Sequence, residues 1–511
     1  MSLKTIPQTL CEAAAAHPKT LALCDDDWQL TYEELLSQVL LKAGALQDKG
    51  LKKGDRFAIW APNCAEWVIA ALAGQSLGAV MVTLNTRYKG AEAADIIRRS
   101  KSKFLLTVQG FLGVDYPSLI ASESLPDLQE TIILKTAETS QLKQIIDGAT
   151  PLSLEAINNV QPDDLSDIIF TSGTTGAPKG AMTTHGQNCA VFDTFSTSIG
   201  MVQGDRYLIV NPFFHSFGYK AGWLCCLLKA ATIYPLSVFD VENVLHRIER
   251  DKITVMPGAP TVFQSLLASD KLQDYDISSL RVATTGAAVI PIDLIEKMTV
   301  TLGIDHVYSA YGLTESSGVV TLCAKGDDFE TIATTCGKPL VNTEVRFVDD
   351  DGSDVKQGDE GEIWVRGFNV MQGYLDDPEA TRATITEDGW LKTGDIGRQT
   401  EAGYVQITDR KKDMIIVGGF NCYPAEVEQN LMLHPEIADV AIIGMPDERL
   451  GEVARAFIVR ANNTNISADE ILIWAKEKLA NYKVPRRIDF VSDLPRNASG
   501  KVMKFLLTEN E

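Results

Sequence analysis

Short apolar runs of three to five residues, set between stretches of helical spacing, recur through the first 300 positions and constrain this chain more than any other feature. The runs at 56–60 (RFAIW), 80–84 (VMVTL), 104–108 (FLLTV) and 131–134 (TIIL) alternate with helix-like segments such as 63–74 and 90–100. Buried strands joined by helices belong to a parallel sheet covered on both faces, so an α/β fold is expected. The rhythm returns at 206–210, 232–235, 255–257 and 282–284, which predicts a second, similar α/β half within one large unit. Segment 31–50 opens with Thr31 and Glu34, a capping pair, and closes at Gly50, so a capped amphipathic helix is expected there.

Beyond about 335 the texture changes to strands with tight polar turns, at 344–348, 362–366 and 404–408, with DDDGS (349–353) between the first two. A β-rich subdomain is expected here. The charged string DRKKD (409–413) precedes a last segment with its own strand and helix pattern. We place a boundary there, between an N-terminal domain of 1–409 and a small, mobile α+β C-terminal domain of 410–511. A chain of 511 residues is long enough for such a division.

The 47 basic and 68 acidic residues leave a formal charge of −21, with no basic patch in the sequence to offset it. Nucleic acid and anionic membranes are thereby disfavoured as partners. Nine cysteines, at 11, 24, 64, 189, 225, 226, 323, 336 and 422, form no CxxC pair and no His/Cys cluster at metal spacing, and read as reduced thiols of a cytoplasmic protein. No apolar core follows Met1, and the most apolar window, 65–84, is interrupted by Glu66, Gln75 and Ser76. Neither a signal peptide nor a membrane span is expected.

The densest chemical signal is DIIFTSGTTGAPKGAMTTH, 167–185: an apolar strand followed by a loop with three glycines, four hydroxyl residues and Lys179. Small residues let backbone N–H groups approach an anion, hydroxyls add donors, and the lysine adds charge. This is a phosphate cradle, but not a Walker A loop, because Lys179 is followed by Gly180 and the G-x-x-x-x-G-K-[ST] spacing fails.

Five blocks, in order, give the chain a wider resemblance: TSGTTGAPKG (171–180), YGLTES (311–316), TGD (393–395), ITDRKKDMIIVGGFNCYPAEVE (407–428) and PRNASGK (495–501). Together they resemble the ANL adenylate-forming enzymes, which include acyl-CoA synthetases, peptide-synthetase adenylation domains and beetle luciferases. The resemblance implies their fold and an AMP-forming acyl-CoA ligase. ATP, Mg²⁺ and coenzyme A would be used with a small carboxylic acid. By the same resemblance, Thr171, Ser172, Gly173, Thr174, Thr175, Gly176 and Lys179 hold the β and γ phosphates. Thr314 would contact the α-phosphate, and Glu315 would hold Mg²⁺. Gly286, Ala287 and Ala288 would wall adenine, with Tyr311 stacked on its other face beside Gly312. Asp395 and Arg410 would bind the ribose. Where many relatives carry an amide or acid two residues before the motif tyrosine, this chain carries Ser309.

Lys501 resembles the lysine that reaches the substrate carboxylate and α-phosphate. Lys412 occupies the hinge position, and Gly418, Gly419 and Phe420 the thiol tunnel. In NPFFHSFGYKAG (211–222), His215 resembles a residue that gates the carboxyl, with Phe217, Gly218, Tyr219 and Lys220 at the acyl pocket. Lys220 is read as polar beside the acyl channel or as snorkelling to water. With TTCGKP (334–339), this stretch resembles ligases for the methyl-hydrindanedione propionate left from steroid rings; a medium- or long-chain fatty acid is the other substrate reading. Two rival functions are an adenylating enzyme that serves a carrier protein and a nucleotide-binding regulator without turnover. With residues 502–511 alone after the last block, no fused carrier is expected and free CoA is favoured, and Glu315, Asp395 and Lys501 together argue for turnover. A homodimer is left open.

Overall fold

The computed structural model describes residues 3–26, 28–135, 149–171, 178–286, 290–410, 413, 415–417, 420–422, 424–447, 450–462, 464–479, 481–496 and 502–508. Thr31 caps the helix Tyr32–Asp48: its Oγ1 accepts the Glu34 N–H at 3.3 Å, and the Glu34 carboxylate accepts the Thr31 N–H at 2.8 Å. The helix ends at Asp48, and Gly50 turns the chain away with φ of +100°.

All eight apolar runs of the first 300 residues are strands, and they sort into two sheets. In the first, Arg56–Trp60 pairs in parallel with Val80–Thr83 and Phe104–Phe111, and the latter with Glu130–Lys135. In the second, Arg206–Ile209, Thr232–Pro235, Val255–Pro257, Val282–Gly286 and His306–Tyr311 form a parallel core. The two halves are not simply consecutive. Leu21–Asp25 crosses to the second sheet, with Leu23 opposite Ile233, and Gly373–Tyr374 returns to the first, opposite Ala181 and Met182. Nothing local marks either return.

Between the sheets lies Ala65–Ser76, a helix buried on every side, as a helix apolar all round must be. Its Trp67 ring packs 5.5 Å from Phe213 and 6.0 Å from Trp223. At 12 residues it is about 18 Å long. Among the described residues, no helix is long and apolar enough to cross a membrane.

The β-rich part is a four-stranded antiparallel sheet of Thr343–Val348, Gly361–Gly367, Leu391–Gln399 and Val405–Arg410. Its DDDGS turn is closed by the Asp349 carboxylate, which accepts N–H bonds from Asp351 and Ser353. After Arg410 the chain enters another sheet. Ile415–Val417, Phe420–Cys422, Ile437–Asp447, Gly451–Arg460 and Arg487–Phe490 join helices Pro424–Met432 and Ala468–Lys478 around a separate core that includes Val427, Ile442, Ile458 and Ile471.

Candidate active site

The run expected to hold phosphates is flanked by two strands that pair antiparallel. Leu165–Thr171 runs in and Lys179–Thr184 runs out, with Thr171 opposite Lys179. Ser172, Gly173, Thr174, Thr175 and Gly176 lie outside the described residues. At the mouth, the Thr171 hydroxyl lies 3.3 Å from both the Lys179 carbonyl oxygen and Glu315 Oε1. Tyr374 donates its hydroxyl to the same Glu315 oxygen at 2.9 Å, and Lys179 Nζ stands 5.3 Å from the centre of the Tyr374 ring. Burial first, and then the Glu315 charge, raises the Tyr374 hydroxyl pKa, so this phenol remains a donor. Thr171 and Lys179, expected at the phosphates, thus lie together with Glu315, expected at Mg²⁺, and Tyr374, which sequence reasoning missed, joins them.

Glu315 is carried on a single 3₁₀ turn, Thr314–Ser316, directly after the strand that ends at Tyr311. Gly312 makes that sharp exit possible: a Cβ there would lie 2.2 Å from the Gly318 carbonyl oxygen. The turn is fixed by the Leu313 N–H, which donates to Ser316 Oγ at 2.9 Å, and by the Met371 N–H, which donates to the Glu315 carbonyl at 2.8 Å. Glu315 is half-buried, unlike the exposed acid of an ordinary helix start. A half-buried carboxylate set among hydroxyls fits Mg²⁺, a hard cation that takes oxygen ligands. Among the described residues, no cluster of three or more His, Cys, Asp or Glu residues forms a metal site of its own.

Of the residues expected at the nucleoside, Tyr311 donates its hydroxyl to Asp395 Oδ2 at 2.6 Å, and both are buried. Asp395 follows Gly394, whose φ is +70°, and lies opposite Arg410 in the sheet; the Arg410 side chain is not among those described. Gly286 ends its strand opposite Ala310, and a Cβ there would meet the Ala310 carbonyl at 3.0 Å. Ala287 and Ala288 lie outside the described residues. Ser309 is buried on the same strand as Tyr311, and its carbonyl accepts the Cys323 N–H at 2.9 Å.

The segment expected at the acyl group begins with His215, whose Nδ1 accepts the Phe217 N–H at 3.3 Å. That bond assigns the ring proton to Nε2. Burial, with the Lys220 charge second, lowers the pKa of His215 to about 4, so the ring is neutral near pH 7. Gly218 is required where the chain doubles back, since a Cβ would lie 2.2 Å from the Pro212 carbonyl oxygen. A π-helical turn, Tyr219–Leu224, follows. Here one expectation is corrected. Lys220 does not snorkel to water; it is fully buried, 3.0 Å from Asp167 Oδ1, and donates to Thr183 Oγ1 at 2.8 Å. Tyr219 is also fully buried, its ring stacked 4.6 Å from that of Trp223.

In the C-terminal domain, Lys412, Gly418, Gly419 and Lys501 lie outside the described residues, as does the Phe420 side chain. The segment with Lys501 is flanked by a bridge between Arg496 and Val502, and Val417 pairs with Phe420.

Residues 10–375 match the AMP-binding enzyme family, and residues 426–501 match the AMP-binding enzyme C-terminal domain. The chain belongs to this family. It is 46% identical, over 99% of both chains, to the 3-[(3aS,4S,7aS)-7a-methyl-1,5-dioxo-octahydro-1H-inden-4-yl]propanoyl:CoA ligase of Rhodococcus jostii (strain RHA1). Among solved structures, the anthranilate CoA ligase AuaEII in complex with anthranoyl-AMP superposes with a TM-score of 0.91 at 28% identity, covering 100% of this chain and 98% of that one. The o-succinylbenzoate coenzyme A synthetase MenE of Bacillus subtilis, in complex with ATP and magnesium ion, gives 0.85 at 31% identity, covering 98% and 99%. The family member described here is thus an ANL-type adenylating enzyme, an AMP-forming acyl-CoA ligase; the carrier-protein and regulator readings are not favoured.

Proposed function

We propose that this ligase joins a methyl-hydrindanedione propionate, the bicyclic diketone acid left from steroid rings, to CoA. The observation that carries the reading is the 46% identity, over 99% of both chains, to a ligase for that acid. The site chemistry supports the route. A carboxylate must approach the α-phosphate of ATP, and two anions meet only where fixed cations and donors offset their repulsion. In this reading Lys179, the hydroxyls of Thr171, Ser172, Thr174 and Thr175, and the backbone of Gly173 and Gly176 hold the β and γ phosphates, with Thr314 at the α-phosphate. Glu315 would hold Mg²⁺, which supplies charge neutralisation at the phosphates. Asp395 and Arg410 hold the ribose, and adenine lies between Tyr311 and the wall of Gly286, Ala287 and Ala288.

Lys501 draws the carboxylate and the α-phosphate together; a carboxylate oxygen bonds to phosphorus as pyrophosphate leaves. The C-terminal domain then turns about Lys412, and the CoA sulfur enters along Gly418, Gly419 and Phe420. Sulfur bonds to the acyl carbon, and AMP leaves with the oxygen the acid brought. His215, neutral, orients or gates the carboxyl without competing for it as a cation. The reaction is placed in the cytoplasm, where ATP and CoA are available; a homodimer is not part of the reading.

The test is pyrophosphate release with ATP, Mg²⁺ and CoA across straight-chain, aromatic and bicyclic keto acids. The bicyclic keto propionate should give the highest kcat/KM. A preference for a straight-chain acid of similar size would overturn the substrate assignment.

A further inference from the structure

Lys220 and Asp167 are the centre of a buried polar node that the reaction as described does not use. Asp167 is fully buried, yet its Oδ1 takes Lys220 Nζ at 3.0 Å and Thr183 Oγ1 at 2.9 Å. Its Oδ2 takes Ser166 Oγ at 2.6 Å, Asn188 Nδ2 at 2.6 Å and the Tyr219 hydroxyl at 3.3 Å. The Tyr219 hydroxyl in turn accepts Gln75 Nε2 at 3.0 Å. Charges are buried at this depth only when matched, and a carboxylate with five donors is matched in full.

The elements joined are those that carry the two halves of the site. Asp167 lies opposite Thr183 in the hairpin whose mouth is Thr171 and Lys179. Strand residues two and four apart share a face, so Asp167 and Thr171 lie on one face, about 13 Å apart. Lys220 and Tyr219 begin the π-helical turn that directly follows His215–Gly218. Asn188 belongs to the helix His185–Ser198 that leaves the same hairpin. One ion pair therefore ties the root of the phosphate hairpin to the acyl segment. π-helical turns are uncommon and are often found at functional sites, which suits a segment held for its position rather than its length.

We propose that the Lys220–Asp167 pair is a positioning element for adenylation, holding the acyl segment and the phosphate hairpin in fixed relation so that acid and ATP arrive in register. Lys220 acts through Asp167 and Thr183 and touches neither reactant. The inference rests on the reading that the hairpin holds the phosphates and that 215–217 faces the acid. It predicts that loss of the pair weakens ATP binding at a distance, an effect a stabilising ion pair alone does not produce.

The experiment is calorimetric titration of ATP with Mg²⁺ into the full chain, with near-UV circular dichroism to verify packing. Lys220→Met should keep the parental spectrum and weaken ATP binding about fivefold or more, the scale of coupling between linked sites. In Lys220→Met/Asp167→Asn, where both charges are removed, the thermal midpoint should return toward the parental value while ATP binding remains weak. An ATP Kd within twofold of the parent in a folded variant overturns the proposal. If Lys220→Met does not fold, the double variant decides by the same criterion. A parent that binds ATP but releases no pyrophosphate with any acid would defeat the ligase reading separately, because the ATP comparison does not depend on the acid.

Discussion

Glu315 and Asp167 are both carboxylates that accept hydroxyl groups, yet Glu315 is half-buried with two described donors and Asp167 is fully buried with five. Glu315 sits on a one-turn 3₁₀ segment at the hairpin mouth; Asp167 sits inside a strand at its root. The contrast separates two uses of charge. A carboxylate meant for a cation keeps weakly competing partners that a ligand can displace or join. One meant to hold elements together is saturated by the protein and has nothing left to offer. The same division holds for the lysines, with Lys179 half-buried beside a tyrosine ring and Lys220 buried against a carboxylate.

The largest effect expected on the ligand side is at Lys501. Lys501→Ala should slow acyl-adenylate formation by roughly 10² or more, the scale of a lost preorganised charge, while attack of CoA on a supplied acyl adenylate stays near the parental rate. Lys412→Pro should reverse that pattern, because proline fixes φ and stops rotation at the hinge. Single-turnover measurements of the two half-reactions check both, and equal loss in both steps would break the division of labour. A smaller effect is expected at Tyr374. Tyr374→Phe removes the hydroxyl from Glu315 but keeps the ring beneath Lys179, so the Mg²⁺ concentration for half-maximal pyrophosphate release should rise roughly three- to tenfold with little change in folding. An unchanged Mg²⁺ requirement would remove Tyr374 from the set that positions Glu315.

The smallest effect is on stability against pH. Burial lowers the pKa values of His215 and His185 from 6.5 to about 4. Between those values the unfolded chain binds more protons than the folded one, so stability rises with pH across this window. The contribution is complete above about 6.5 and is lost as pH falls toward 4. Thermal midpoints measured from pH 7.5 down to 5 should decline, and His185→Gln should decline less steeply; parallel curves would contradict the assignment.

The local geometry around Thr171, Lys179 and Glu315 was more legible than that around Lys220 because its sequence signals are local. Strand, glycines, hydroxyls and Lys179 stand within one run of sequence, and Gly312 directly precedes the turn that carries Glu315. Tyr374 escaped notice because its strand is two residues long and its partner lies 59 positions away. Lys220 was read as polar beside the acyl channel or as snorkelling to water, and its burial escaped both readings because residue type does not encode depth. Only the doubling back at Gly218 and the π-helical turn after it carry the ammonium inward to Asp167. The strands predicted from apolar runs were found, while the crossing of Leu21–Asp25 to the second sheet depends on a partner about 210 positions on, at Ile233. Long-range pairing of this kind leaves no periodicity to read.

The most direct test of the adenylation chemistry follows an oxygen atom. With a substrate acid carrying ¹⁸O in its carboxylate, ATP, Mg²⁺ and CoA, mass spectrometry of the nucleotide product should find one ¹⁸O in AMP and none in pyrophosphate, since the acid's oxygen bonds to the α-phosphorus and leaves with AMP. Formation of ADP, with the label in inorganic phosphate, would contradict the account.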